Sequence, residues 1–470
     1  MKKIFINIGL FALMFNLNSC LLYKDASKEK IDKLKETSII KENVEIPENW
    51  ILDNTADAED FSYNWITELN NPQLTSLIQE GIKYNTDIVI AEEKLNQIEL
   101  SMNIAGSNLY PSVNAIANTS NNLTNGSNIQ KLGVQANWEL DILGKNKANK
   151  MASVSNYFSA KYINERLKQT IAGMIVKAYF LNIAGNMQEA KVNQYIELTQ
   201  NLEKIYTIQN KVGTANALDI SNIKSELILL NGYLEKIKNA NTQSKRTLEL
   251  LIGKYPEGKV TTSDNFYKIN SKVPTSFPLS LLENRPDILA KHYQIEKLFY
   301  EVQSTKFSRL PSISIGSTLG GANTNVLAIS SLFSNPLVKV GGSLTTPIFN
   351  GGQLKTNVEI KNSEQQIAIE EYSKTVLNAL NEMESSWSNT LSIEKQLEYN
   401  IDAITEMTKN IELTKKQIQI GTSNNSDLIQ KQRNLLKIEI KVIDLELQER
   451  IERINLYLAL GAPNFKKMLE

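Results

Sequence analysis

An internal duplication constrains this chain more than any other feature, because the same short motifs occur twice in the same order. The first pairs lie 200 positions apart: Asp87 with Asp287, and Pro111 with Pro311. The later pairs lie 208 positions apart: Gly144 with Gly352, Gly213 with Gly421, and Asp219 with Asp427. A constant spacing interrupted by one insertion is hard to obtain by chance. The sequence therefore predicts two copies of one unit, at 61–256 and 275–463. A linker at 257–274 joins them, and a tail at 464–470 follows.

The distribution of proline predicts that long helices dominate each copy. Only 11 of the 470 residues are proline, and two stretches of more than 100 residues contain none. Proline breaks helix interiors, so both stretches favour uninterrupted helices. In the first copy we expect helices at 73–109, 146–211 and 218–251, the second about 100 Å long at 1.5 Å per residue. In the second copy, helix 427–460 carries Leu428, Leu435 and Val442 at spacing seven, with Ile438 and Leu445 three residues after the last two, which predicts a heptad-like seam.

Two short strands are expected in each copy, between the first helix and the long one. The predicted strands are 111–121, 130–141, 311–320 and 338–348. They alternate apolar and polar residues, as in Leu132, Val134, Ala136 and Trp138. Such strands are typical of a membrane barrel, although an ordinary half-buried sheet has the same alternation. Four strands cannot close a barrel, and lipid does not tolerate open edges, so several chains would have to share one barrel. Three chains would supply twelve strands, enough to enclose a lumen.

The composition argues against several classes of function. Lys+Arg and Asp+Glu both number 51, so the basic excess of a nucleic-acid-binding protein is missing. The chain has one cysteine, Cys20, and one histidine, His292, which leaves no intrachain disulfide and no His/Cys zinc site. We interpret His292 as a helix residue. The segment Gly253–Lys259 matches G-x-x-x-x-G-K, but Val260 replaces the required Ser/Thr, which favours a helix-ending loop over a phosphate-binding loop.

The N-terminal sequence predicts export and a lipid anchor. Residues 1–19 combine a short basic start with an apolar stretch that is too short to span a bilayer, as in a secretory signal peptide. The sequence Leu17-Asn18-Ser19-Cys20 resembles a bacterial lipobox, in which the cysteine receives lipid. We therefore expect a covalent lipid on Cys20 and a polar tether over 20–60. A plain signal peptide followed by a free cysteine is the alternative. No metal or other cofactor is expected.

Five motifs, in this order, resemble the TolC-like outer-membrane efflux proteins, and in particular their lipoprotein branch. They are Trp138–Lys145, Arg285–Ile288, Leu310–Ile313, Pro347–Gly352 and Leu456–Gly461. The resemblance implies an α+β membrane protein: a homotrimer whose twelve-stranded β-barrel, four strands per chain, lies in the outer membrane and continues as a long α-helical barrel into the periplasm. It implies a passive exit duct rather than an enzyme. The partners would be outer-membrane lipid, a periplasmic adaptor and an inner-membrane pump of the RND type.

The resemblance also locates a periplasmic tip at two helix-joining turns. The turns are Gly213-Thr214 and Gly421-Thr422. In the family, acidic residues after the second turn line an aperture. The matching positions are Asp427 and Gln430, and the glutamine leaves one carboxylate per chain. Asp219 matches an acid that helps hold the closed tip. An aspartate at a helix start is also favoured by the helix dipole alone, so capping remains the alternative role. A lipid-anchored helical scaffold or adhesin without a pore remains the alternative function.

Overall fold

The computed structural model describes residues 29–35, 49–51, 71–122, 127–267, 276–278, 284–323 and 337–461. The expected signal peptide, Cys20 and the expected tail at 464–470 lie outside this part of the chain. The described residues belong to two compact units. The first comprises Met1–Ile46, Glu93–Ile163 and Asp287–Thr375, and the second comprises Pro47–Glu92, Asn164–Pro286 and Val376–Glu470.

The duplicated sequence folds into duplicated helices of equal length. β1 (Asn49–Ile51) precedes the first copy. The first copy contains α1 (Pro72–Tyr84), α2 (Thr86–Ser107), β2 (Ser112–Asn122), β3 (Ser127–Leu140), α3 (Lys145–Lys211) and α4 (Ala217–Leu251). After β4 (Ser276–Pro278), the second contains α5 (Pro286–Phe307), β5 (Ser312–Asn323), β6 (Leu337–Thr345), α6 (Gln353–Gln419) and α7 (Asn425–Ala459). In each copy the three helices around and after the strands have 22, 67 and 35 residues. No described helix is long and apolar enough to cross a bilayer.

The expected single helix over 73–109 is wrong, because Asn85 divides it into α1 and α2. The Asn85 backbone is extended, and its N–H still donates to the Gly81 carbonyl at 2.8 Å. Its side-chain oxygen accepts from the backbone N–H of Asp87 at 3.0 Å, and of Ile88 at 3.3 Å. One asparagine therefore ends one helix and caps the next, a role that asparagine favours.

Four strands form one antiparallel sheet in the first compact unit, in the order β2-β3-β5-β6. Each sequence copy contributes one hairpin, and the pairing of β3 with β5 joins the two hairpins. The last strand ends at Thr345, before the predicted 348, because Pro347 has no N–H to donate. β2 and β6 are the edges of this sheet within the chain.

Apolar clusters hold the helices of each unit together. In the first unit, Ile31 from the helical segment at 29–35 packs with residues of α3, α5 and α6: Ala152, Ile295, Leu298, Phe299, Tyr300, Ala368 and Ile369. In the second unit, α3, α4 and α7 share Val192, Tyr195, Ile196, Leu230, Leu234, Ile237 and Leu436. Among the expected seam residues Leu445 is buried, whereas Leu428, Leu435, Ile438 and Val442 are half-buried. Leu436 and Ile443, also at spacing seven, are buried instead. The buried positions at spacing seven therefore lie one residue beyond the predicted ones, because α7 turns its Leu436 face toward α3 and α4.

Glycines lie at two places where another helix of the second unit comes close to α3. A Cβ at Gly173 would lie 2.7 Å from a methyl carbon of Leu458, and one at Gly185 would lie 2.9 Å from Cγ of Asn241. The helices α7 and α4 thus cross α3 where a side chain is missing. These are the two glycines of α3, so close packing explains their presence inside a long helix.

Candidate functional site: a two-faced sheet and two helix-hairpin turns

One face of the four-stranded sheet is apolar and lies exposed in the single chain. The register places Val134 opposite Leu319, and Leu319 opposite Val338, so apolar side chains continue across three strands. The exposed apolar residues of this face are Val113, Leu132, Val134, Trp138, Ile315, Leu319, Val338, Val340 and Leu344. Val340 is 70% exposed and Leu344 is 69% exposed. A continuous exposed apolar face formed by nine side chains normally has a partner or a lipid surface against it.

The opposite face of the sheet carries small and polar residues and lines a groove of about 900 Å³. The groove residues contributed by this face are Ser112, Asn137, Glu139, Ser314, Gly316, Thr318, Lys339, Gly341 and Ser343. The carboxylate of Glu139 lies 2.5 Å from the ammonium of Lys145, so its charge is compensated within the chain. This sheet therefore has one face suited to lipid and one suited to water.

The two predicted turns, Gly213-Thr214 and Gly421-Thr422, have the same geometry. Both glycines have φ of 78°, a left-handed conformation that costs glycine little. The N–H of Thr214 donates to the Gln209 carbonyl at 2.9 Å, and the N–H of Thr422 donates to the Gln417 carbonyl at 2.9 Å. These bonds close the ends of α3 and α6 in the manner of a Schellman motif, and each glycine acts as a helix stop.

The two predicted acids, Asp219 and Asp427, both lie in the first turn of the helix after a turn. Asn216 caps α4: its side chain accepts from the Asp219 N–H, and its own N–H donates to the Asp219 carboxylate at 3.2 Å. Asn424 caps α7 and accepts from the Asp427 N–H at 2.9 Å. The Asp219 side chain thus belongs to a capping box, whereas only the backbone N–H of Asp427 takes part in a cap, and the aperture and gate roles stay predictions.

Asp427 also carries contacts that sequence reasoning missed. Its Oδ2 accepts from the Ser423 hydroxyl at 3.0 Å and lies 3.4 Å from the ammonium of Lys431. The same ammonium donates to the Thr414 hydroxyl at 2.8 Å, which ties α7 to α6 beside the turn. The i,i+4 spacing of Asp427 and Lys431 on a helix indicates this ion pair from the sequence alone. Lys431 offsets the charge of the carboxylate that the aperture prediction relies on.

Gln430, the second predicted aperture position, participates in a charge network around the buried Arg433. Its side-chain oxygen accepts from the guanidinium of Arg433 at 2.7 Å. Arg433 is buried on α7, forms an ion pair with Glu226 on α4 and lies over the ring of Tyr195 on α3, 5.3 Å from the ring centre. The Tyr195 hydroxyl donates to Glu226 at 2.6 Å. Burial raises the pKa of Glu226, but the hydrogen bonds from Tyr195 and Arg433 outweigh it, and the net pKa is lowered.

The motif residue Arg285 closes the C-terminal end of α7 in the second compact unit. Arg285 is 1% exposed, and its guanidinium donates to the Ala459 carbonyl at 2.7 Å and to the Glu382 carboxylate at 2.9 Å. Gln169 donates to the Gly461 carbonyl at 3.0 Å beside it. Helix ends leave such carbonyls without partners inside the helix, so this arginine has a structural role.

The loop that matches G-x-x-x-x-G-K is filled by a side chain of the protein itself. The buried Glu249 carboxylate accepts from the backbone N–H groups of Gly258, Lys259 and Val260, at 2.6, 2.7 and 2.9 Å. Burial raises the pKa of Glu249, but these three hydrogen bonds outweigh it, and the net pKa is lowered. A phosphate would need the same N–H groups, which supports the helix-ending interpretation.

The chain matches the outer membrane efflux protein family over both of its copies, at residues 77–254 and 278–462. It is a member of that family. Among the family's proteins, the pyoverdine export outer membrane protein OpmQ of Pseudomonas aeruginosa is 22% identical over 442 residues, which cover 88% of this chain and 90% of OpmQ. The cation efflux system protein CusC of Escherichia coli O6:H1 is 23% identical over 412 residues, covering 84% of this chain and 87% of CusC.

The fold of this efflux protein is also that of a solved outer-membrane channel. The CmeC channel of Campylobacter jejuni superposes with a TM-score of 0.79 at 19% identity, covering 91% of this chain and 98% of CmeC. The sequence resemblance to outer-membrane efflux proteins is thus confirmed, as are the predominance of helix and the four-stranded sheet. The chain is an outer-membrane efflux channel, and the two-faced sheet is the part of it suited to lie in that membrane.

Proposed function

We propose that three copies of this chain pool their sheets into one twelve-stranded barrel in the outer membrane. The observation that carries the proposal is the sheet itself: an exposed apolar face on a sheet whose edge strands, β2 and β6, lack a second neighbour among the described residues. In lipid, unpaired backbone groups cost several kcal/mol each, about the cost of an unmade buried hydrogen bond. Four strands leave two such edges, and closure with further copies removes them.

The barrel serves as the exit duct of a three-part efflux system. A periplasmic adaptor and an inner-membrane pump, of the RND type, deliver the substrate, and the helices continue the duct as a helical barrel into the periplasm. Conduction through the duct is passive, and the energy comes from the pump. Membership in the outer membrane efflux protein family supports this assignment.

The turns at Gly213 and Gly421 form the periplasmic tip, and Asp427 and Gln430 line its closed aperture. Asp219 helps to hold the closed state. Support comes from the equivalence of the two turns and from the charge contacts beside them, which link α7 to α4 and α6. A tip that opens must break such contacts between neighbouring helices.

A planar-bilayer experiment tests the duct. The purified full-length chain should run as a trimer on a gel, dissociate on heating and give single-channel currents. A monomer that is heat-insensitive and electrically silent would instead favour a lipid-anchored scaffold or adhesin. The lipid anchor has a separate test: Cys20→Ser should abolish incorporation of labelled palmitate, and Ser19→Ala, which leaves the cysteine, should not.

A further inference from the structure

The two edge strands of the sheet differ from the two central strands in exposure. Every described side chain of β6 is exposed, and so are the described side chains of β2 except Ile116. The central strands β3 and β5 are largely half-buried. Under the proposed barrel, on which this inference rests, β6 of one subunit must lie beside β2 of the next, since these are the two strands with an open side.

We propose that this subunit joint copies the intrachain β3–β5 joint, which places Ser343 opposite Asn118 of the partner subunit. The duplication makes β5 the second copy of β2 and β6 the second copy of β3. Within the hairpins, Val113 lies opposite Ala136, and Ile313 lies opposite Leu344, so the equivalent positions are 200 apart in β2 and β5 and 208 apart in β3 and β6.

The register of the subunit joint follows by transfer from the intrachain joint. In the intrachain joint Gln135 lies opposite Thr318. The equivalent of Gln135 in β6 is Ser343, and the equivalent of Thr318 in β2 is Asn118. The same transfer puts Leu344 opposite Ala117 of the partner subunit.

The alternation of the strands agrees with this register. Leu344 and Ala117 both belong to the apolar face, whereas Ser343 and Asn118 both belong to the polar face. A slip by one residue would set apolar side chains against polar ones along the whole joint. The duplication thus selects one register among those that keep both faces intact.

A glycine on β6 agrees with the same joint. A Cβ at Gly133 in β3 would lie 2.6 Å from the carbonyl oxygen of Leu319, so this position of the intrachain joint requires glycine. Gly341 is the equivalent residue in β6, and a Cβ there would meet no atom within 4 Å in the single chain. The proposed joint brings the backbone of the partner's β2 against Gly341, where glycine leaves room as it does at Gly133. The copy concerns the register and not every close approach, because Gly320, the second glycine of the intrachain joint, corresponds to Ser120 in β2.

Cysteine cross-linking of the full-length chain in outer-membrane vesicles tests the register. The only native cysteine is Cys20, so few disulfides other than the engineered one can form. After mild oxidation, Ser343→Cys with Asn118→Cys should give covalent dimers and trimers on a reducing-agent-free gel, because the Cα atoms of opposite residues lie about 4.5–5.5 Å apart, within the span of a disulfide. Each single variant should stay at the mobility of the unmodified chain. Ser343→Cys with Asn114→Cys should not cross-link, since four residues correspond to about 13 Å along a strand.

The possible outcomes separate a failure of the register from a failure of the barrel. Stronger cross-linking of Ser343→Cys to Ile116→Cys or Asn114→Cys would overturn the register. Heat-sensitive trimers that form channels but give no cross-link for the Asn118 pair would also overturn it, while leaving the exit duct intact. A chain that forms neither trimers nor channels would overturn the proposed function, and the register with it.

Discussion

Arg433 on α7 and Glu226 on α4 form an ion pair in which the two partners are buried to very different extents. The Arg433 side chain is 1% exposed, whereas the Glu226 side chain is 32% exposed. Tyr195 on α3 contacts both, through its ring and its hydroxyl. Three helices of the second compact unit therefore meet at one charge pair, close in sequence to the turns that we assign to the tip.

The unequal burial predicts unequal effects of the two neutralising substitutions. Glu226→Leu leaves a buried arginine without its counter-ion and should destabilise the chain, by less than the roughly 3–5 kcal/mol of a fully buried pair because Glu226 is partly exposed. Arg433→Leu leaves a glutamate that can reach water and should cost less. The measurement is the midpoint of thermal loss of helical circular dichroism in detergent. Equal losses for the two variants would contradict the assigned burial.

The lowered pKa of Glu226 predicts how the same contact responds to acid. A carboxyl whose pKa is lower in the folded state stabilises that state above its unfolded pKa, here near the ordinary value of 4.5, and the stabilisation is lost as the pH falls through the folded value. The groups facing Glu226 are Arg433, Lys437 and Tyr195, which all favour its charged form. The melting difference between the native chain and Glu226→Gln should be constant at neutral pH and shrink below about pH 4.5. A difference that grows in acid would refute this.

Gly185 and Gly232 provide a matched pair for the packing of α3 against α4. Gly185→Ala places a methyl 2.9 Å from Cγ of Asn241 and should destabilise the chain by about 1–3 kcal/mol through overpacking. Gly232→Ala on α4 meets no atom within 4 Å and should stabilise by up to about 1 kcal/mol, because alanine is the better helix former. Thermal melting of both variants checks the opposite signs. A neutral Gly185→Ala would mean that Asn241 moves aside freely.

Asp427 and Lys431 should act together on the resting conductance of the channel. Lys431→Met removes the hydrogen bond that links α7 to Thr414 on α6, and Asp427→Ala removes the carboxylate beside the Lys431 ammonium, so both should raise the conductance in a planar bilayer. Glu406→Ala, which removes an exposed acid from the body of α6, is the control and should leave conductance unchanged. If Asp427→Ala behaves like the control, the aperture role of Asp427 is ruled out and only its favourable position in the first turn of α7 remains.

Lys339 should bias the barrel lumen toward anions. It lies on the polar face of β6, and the other charged residue lining the groove, Glu139, is already neutralised by Lys145. Rings of lysine favour anions in narrow pores. In a KCl gradient, the reversal potential of the native channel should indicate a preference for chloride, and Lys339→Glu should shift it toward potassium. Lys259→Glu, on the exposed helix-ending loop, should not change it.

The sequence by itself determined the repeating plan of this protein. Two constant spacings, long proline-free stretches and alternating strands were enough to predict paired long helices, two hairpins and the helix stops at Gly213 and Gly421. Those features depend on local chemistry: proline lacks an N–H, glycine accepts a left-handed φ, and a strand exposes alternate residues to opposite sides.

Only the tertiary structure decided which residues meet across the helices. The seven-residue spacing on α7 is compatible with burial of Leu435 or of Leu436, and packing against α3 and α4 selects Leu436. Nothing local to Arg433 indicates that Glu226 and Tyr195, both more than 200 positions earlier in the chain, would surround it. Such contacts depend on how far each helix is rotated toward its neighbours, and that rotation is set by the summed packing of many side chains rather than by any one stretch of sequence.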